Sequence, residues 1–290
     1  MSQTMVTGWR PVAIAGLAVG LLLTPAGAAQ ASVFTERATG TSAFDARPVK
    51  AATATCPEDT VSYSGGGVVN YGPGGGSGVA LTGIDVDTAD DSVTVTAAAP
   101  LGRPGDWSVT AVAICESSVE PWRIIESGTG TATATCPEQT RLFGLGFRVE
   151  GTPAAAHVRE ISLDADLTRV RVTAGGPAAD KSTVSATALC RPPAWEMRRA
   201  RAATDAAGWP KSVSGQDTDP DLTVYATGAT VTGPAAATLD ALVPGPDGGR
   251  SWARGTLVGV SARLAGRFRG ADDDPDGSLT MEAALSGTFH

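Results

Sequence analysis

Along most of the chain apolar and polar positions alternate with a period of two, the pattern of a strand with one face buried. Phe143, Leu145, Phe147 and Val149 fall on one face, and Gly144, Gly146 and Arg148 fall on the other. The same alternation marks strands at Val79–Ile84, Ser92–Ala98 and Trp107–Ile114. It returns at His157–Leu163, Arg169–Ala174 and Ser182–Cys190, with Gly, Pro and Asp turns between the runs. Further on come Ala236–Val243, a longer stretch Ser251–Phe268, and Leu279–Leu285. No segment has helical periodicity. Trp195–Ala207 comes nearest, with Glu, Met, Arg and Ala behind Pro192 and Pro193. It aligns with the Thr- and Gly-rich stretch Phe34–Arg47, so it reads as a strand followed by a loop.

The strands recur in sets because the chain repeats itself. Ala52–Gly67 (ATATCPEDTVSYSGGG) returns at Ala132–Phe147 (ATATCPEQTRLFGLGF), with seven consecutive residues, ATATCPE, identical 80 positions apart. A third copy keeps only the tail, Tyr225–Gly233. In all three an aromatic (Tyr63, Phe143, Tyr225) is followed three residues later by Gly66, Gly146 or Gly228. Six residues after the aromatic stands Val69, Val149 or Val231. A fixed internal period of this kind means a repeat architecture. The glycine sits opposite the aromatic and the valine, where a missing side chain permits a bulge or the close approach of another backbone. The joints Glu116–Pro121 and Arg191–Ala194 carry proline and are too short to act as flexible tethers. The expectation is an all-β protein whose three copies dock into one pseudo-threefold, prism-like assembly. The competing arrangement is a row of three β-sandwiches.

The first 31 residues read as a signal peptide: Arg10, the apolar run Val12–Leu23, then the small-residue site Ala29–Ala31. Thr24, Pro25 and Gly27 interrupt that run well short of a membrane span. Copy 1 then occupies 32–116, copy 2 117–191 and a degenerate copy 3 192–290. Secretion into the extracellular space follows, with no membrane partner after cleavage. The whole chain carries a net charge of −8, and loss of Arg10 makes the mature chain more acidic still. That excludes nucleic acid as a partner, since phosphate binding needs a basic surface. The one basic cluster, Arg198, Arg199 and Arg201, reads as a solvated strand face.

Four cysteines in an exported chain allow three disulfide connectivities. Cys56 shares a face with Ala52 and Ala54, and Cys115 with Val109, Ala111 and Ala113. Cys136 shares one with Ala132 and Ala134, and Cys190 with Val184, Ala186 and Ala188. Copy 3 lacks both members, around Asp217–Thr218 and Leu285–Ser286, as a bonded pair lost together would. The reading is Cys56–Cys115 and Cys136–Cys190, each closing a loop worth roughly 4 kcal/mol by chain entropy. No CxxC spacing or adjacent histidine points to zinc.

Catalytic chemistry finds little support. His157 has no counterpart in the other copies and no nucleophile motif beside it, and reads as a surface histidine. Asp85 and Asp87, matched to Asp164 and Asp166, lie side by side on a strand and do not flank a substrate. They read as solvated strand ends. The Gly-rich stretch Gly72–Gly78 has no lysine and no following helix, and reads as a hairpin loop and not a phosphate cradle. Asp272, Asp274 and Asp276 before Gly277 resemble the opening of a calcium loop, with Ala283 where a twelfth-position Glu belongs. Calcium is the one candidate cofactor, a solvated acidic loop the competing reading. No catalytic residue is assigned.

The ATATCPE motif, the aromatic-x-x-Gly-x-x-Val skeleton and a closing strand ending in Cys resemble the secreted repeat proteins of actinobacteria. Their units read roughly ATCPAGT-x-VxGxGxxVxG, and the likeness covers nearly all of the mature chain, with copy 3 departing by its lost cysteine. The resemblance implies secretion, repetition and a β-rich fold, and it brings no activity or functional residue. The expected function is a non-catalytic surface or matrix binding module for an extracellular glycan or surface protein. Three copies would offer up to three related weak sites acting together. A carboxylate-dependent secreted hydrolase and a structural cell-envelope component are the alternatives. Sites that recur across copies would favour binding; a carboxylate pair occurring once would favour catalysis.

Overall fold

In the computed structural model eighteen strands and a single 3₁₀ turn are found among the described residues. The structure describes residues 35–73, 79–99, 105–117, 120–151, 155–193, 197–204, 211–215, 223–232, 238–244, 264–269 and 278–286. The first six strands are β1 (Thr35–Thr41), β2 (Val49–Thr55), β3 (Val61–Tyr71), β4 (Ala80–Asp87), β5 (Ser92–Ala98) and β6 (Trp107–Glu116). The next six are β7 (Trp122–Thr129), β8 (Thr131–Thr135), β9 (Arg141–Val149), β10 (His157–Leu163), β11 (Arg169–Gly175) and β12 (Thr183–Arg191). The last six are β13 (Met197–Thr204), β14 (Lys211–Gly215), β15 (Thr223–Thr232), β16 (Thr238–Pro244), β17 (Leu264–Arg269) and β18 (Ser278–Ser286). Trp195–Ala207 therefore contributes a strand, β13, as its alignment with the first segment requires.

No segment owns a sheet. The three sheets run β1-β6-β3-β16-β17-β14, β2-β5-β4-β9-β12-β7 and β13-β18-β15-β10-β11-β8. In each, the first, sixth and third strands of one segment lie beside the fourth, fifth and second strands of another. The sharing closes on itself: first with third, second with first, third with second. The three joins use equivalent residues. Ile84 pairs with Phe147, Ile161 with Ala229 and Leu242 with Gly67.

At those joins the repeated glycine has a definite task. A Cβ built on Gly66 would lie 2.2 Å from the carbonyl oxygen of Leu242, on Gly146 2.5 Å from that of Ile84, and on Gly228 2.3 Å from that of Ile161. Real side chains do not tolerate such distances, so glycine is what lets one segment's strand lie against the next.

The buried faces are those expected from alternation. Ala52, Ala54 and Cys56 of the first segment, and Ala132, Ala134 and Cys136 of the second, lie in one core with Val109, Ala111, Ala113 and Cys115 and with Val184, Ala186, Ala188 and Cys190. Within it Cys56 is bonded to Cys115 and Cys136 to Cys190, with Cα separations of 5.6 and 5.5 Å. The third segment carries Leu285 in the register position of Cys115 and Cys190.

One assignment needs correction. Alternation puts Phe143 on the face of Leu145, Phe147 and Val149, and those three do lie in the main core. Phe143 does not: it packs with Tyr63 and Tyr225 in a cluster of its own. The cause is a bulge. Pairing of β9 with β12 passes from Gly144 to Leu142, that of β3 with β6 from Ser64 to Ser62, and that of β15 with β18 from Thr227 to Val224. Each skipped stretch holds the repeated aromatic, and a bulge re-aims the side chain it carries.

Because the three glycines serve one purpose, alanine at Gly66, Gly146 or Gly228 should be costly to a similar degree. We expect each to lower stability by about 1–3 kcal/mol, read from the denaturant midpoint. Unchanged midpoints would mean that the strands can part at the joins without loss.

Candidate functional site

Two places hold polar chemistry of note, one inside the body and one on a sheet face. Inside, the three bulged aromatics meet edge to face, Tyr63–Phe143 at 6.2 Å, Tyr63–Tyr225 at 6.3 Å and Phe143–Tyr225 at 4.8 Å between ring centroids. Such edge contacts suit the ring quadrupole. The Arg191 guanidinium lies 4.1 Å from the Phe143 centroid and 4.8 Å from that of Tyr63. It donates to the Tyr63 hydroxyl at 2.7 Å and pairs with Glu116 at 3.3 Å. The Tyr225 hydroxyl donates to the other Glu116 oxygen at 3.0 Å. Glu116 is fully buried. Burial acts to lower the Arg191 pKa, but the Glu116 carboxylate and the two tyrosine oxygens outweigh it and the group is held charged. Burial pushes the Tyr225 phenol well above its ordinary value, and neighbouring Glu116 pushes it further.

Glu116 and Arg191 occupy the same place in their segments: Glu116 pairs with Val61 and Arg191 with Arg141, each two residues before its aromatic. Ser286 takes that place in the third, opposite Thr223. Sequence reading picked out the aromatics and missed these two charges, which look like the polar ends of the closing strands. Their position directly after Cys115 and Cys190 was the available signal.

Buried Lys50 is a structural tie. The Lys50 ammonium donates to the carbonyls of Ala43 and Asp45, each at 2.8 Å, and to that of Trp107. It also pairs with the Asp45 carboxylate at 2.7 Å. Arg47 first, then Lys50, hold Asp45 far below the usual carboxylate range.

The second place is a cleft on the sheet shared by the first two segments, and it crosses the β4–β9 join. Thr94 and Thr96 line it from β5, Gly83 and Asp85 from β4, Arg148 from β9, Ser185 and Thr187 from β12, and Arg123 and Ile125 from β7. It lies on the face turned from the core, since Thr94 and Thr96 alternate with buried Val93, Val95 and Ala97. Arg123 forms an ion pair with Asp85. Ser185 bonds Ser127 at 2.8 Å and Thr96 accepts from Thr82 at 3.1 Å. Arg148 is exposed and forms no ion pair among the described residues.

The earlier candidates fall as follows. Asp87 accepts from the backbone N–H of Ala89 at 3.0 Å, and Asp164 from those of Thr168 and Arg169 at 2.7 and 2.9 Å. Both cap turns. Burial acts to raise the Asp164 pKa, but the donors from Thr168 and Arg169 outweigh it and bring the carboxyl below its ordinary value. The matching of these acids is corrected. Register aligns Ile84 with Ile161, which makes Asp164 the counterpart of Asp87, and Ser162 that of Asp85. His157 is not at the surface; it is buried at the start of β10, beside Gly175 and Gly176. Arg198, Arg199 and Arg201 lie on the edge strand β13, and their side chains are outside the described set. So are Asp272, Asp274 and Asp276, and most of the Gly72–Gly78 loop. Among the described residues no group of three or more His, Cys, Asp or Glu is placed to hold a metal.

No protein-family model and no curated protein matches the chain. The two disulfides fit an oxidising environment. No helix among the described residues is long and apolar enough to cross a membrane.

The Tyr225 environment generates a pH prediction. A phenol whose folded pKa is raised stabilises fully below its ordinary value of 10.0, and that contribution is lost as pH climbs through the folded value. Tyr225 should therefore resist ionisation until the body unfolds in alkali. Tyrosinate absorbance followed beside near-UV circular dichroism checks this. Ionisation of Tyr225 near pH 10 with the fold intact, read by comparison with a Tyr225→Phe variant, would contradict the buried pairing.

Proposed function

We propose that this chain is a secreted, non-catalytic binding module whose three repeats (residues 32–116, 117–191 and 192–290, behind a signal peptide at 1–31) form one pseudo-threefold, prism-like body. The cyclic sharing of sheets supports that arrangement, as does the meeting of the three repeated aromatics. The likeness of the ATATCPE units to secreted actinobacterial repeat proteins agrees with it.

The observation that carries the binding reading is the cleft across the first join, a concave strip of hydroxyl and guanidinium groups on an otherwise regular sheet. Its chemistry belongs to that join. Where it has Asp85 and Arg148, the other joins have Ser162 with Thr230 and Val243 with Val68. One asymmetric site therefore replaces the three related sites expected from repetition. Occurring once would also suit an active site. Glycosidic hydrolysis, however, needs two carboxyl groups flanking the bond, and this cleft is lined by one, Asp85, engaged by Arg123.

The mature chain should retain members of a glycan or surface-protein array and release no product from a panel of hydrolase substrates. Turnover of any panel member, abolished by Asp85→Asn, would replace binding with catalysis.

A further inference from the structure

We infer that the ligand of the cleft is an acidic saccharide, a chain of hydroxyl-rich sugar units carrying a carboxylate at intervals; this rests on the binding reading above. The cleft spans five neighbouring strands, β5-β4-β9-β12-β7. Strand spacing makes that roughly 19 Å, the length of a short oligosaccharide.

Three kinds of group face it. Thr94, Thr96 and Ser185, each bonded to one neighbouring hydroxyl, keep further hydrogen-bonding capacity for the hydroxyls of a sugar. Ile125, half exposed at the rim, offers an apolar surface to the C–H face of a ring.

The charges then set the class. Two guanidinium groups stand against one carboxylate, and that carboxylate is taken by Arg123. Arg148 is left with a full charge and an open fork of donors, the geometry that binds a carboxylate bidentately. An ion-paired neighbour on one side and hydroxyls around it make a site for one isolated negative charge. An acidic polypeptide, with a charge on every residue, would meet one free cation in this cleft, on a protein of net charge −8.

The test uses the full mature chain and two forms of one oligosaccharide, de-esterified oligogalacturonate and its methyl ester, with polyglutamate as a third arm. The acid form should bind at least about tenfold more tightly than the ester, in keeping with a charge-assisted hydrogen bond. That margin should narrow as salt is added. Arg148→Gln should erase the preference, and Arg148→Lys should restore part of it. Arg148 is exposed, so neither change should move the melting temperature. Equal binding of acid and ester, an unaffected Arg148→Gln variant, or tighter binding of polyglutamate would overturn the acidic-saccharide assignment while leaving a binding module. Failure to retain any glycan or surface protein would overturn the binding reading itself.

Discussion

Glu116 is fully buried and its partner Arg191 largely so, and removing charges from solvent costs several kcal/mol per fully buried ion unless their surroundings compensate. Compensation here draws on every segment at once. The first supplies Glu116 and the Tyr63 hydroxyl, the second Arg191 and the Phe143 ring beneath it, the third the Tyr225 hydroxyl. Removing any one takes a hydrogen-bond or ring partner from this charged pair. The rest of the body can be understood as what brings these five groups to one point. The bulges turn the aromatics inward, and the glycines let neighbouring strands approach closely enough for the rings to meet.

The same pair makes the three segments unlike at equivalent register positions. Equivalent places hold glutamate, arginine and serine. Three identical copies would put three like charges around one cluster, which low local dielectric makes expensive. Unlike segments in a single chain avoid that and fix which segment lies where. Disulfides follow the same asymmetry. They reinforce the first two segments, and the third carries Leu285 at the equivalent position, so its share of stability must come from the sheets it completes.

Period two, the turn residues and the duplicated motif were enough to recover the all-β class and the course of most strands, because each depends on local chemistry. The cysteine pairs lie on the small apolar faces read from Ala52–Cys56 and Ala132–Cys136 for the same reason. The bulge at Phe143 was not legible: it adds a residue without altering the surrounding pattern, and simple alternation keeps the ring on the wrong face. Glu116 and Arg191 were missed because a charge at a strand end ordinarily faces water, and only the tertiary meeting of three segments encloses them. The cleft was equally hidden. Asp85, Arg123 and Arg148 come from two copies and three strands, and no spacing in the chain brings them together.

The body thus offers a continuous sheet on which one join differs from the others, and that difference supplies the proposed binding chemistry. Whether the joins are held by the buried pair is most directly tested by a double-mutant cycle with Glu116→Gln, Arg191→Met and the two combined, followed by equilibrium unfolding. Each single change should cost about 3–5 kcal/mol by stranding the other group, and the double should cost well under the sum of the two. Small, additive losses would contradict a structure that depends on this pair.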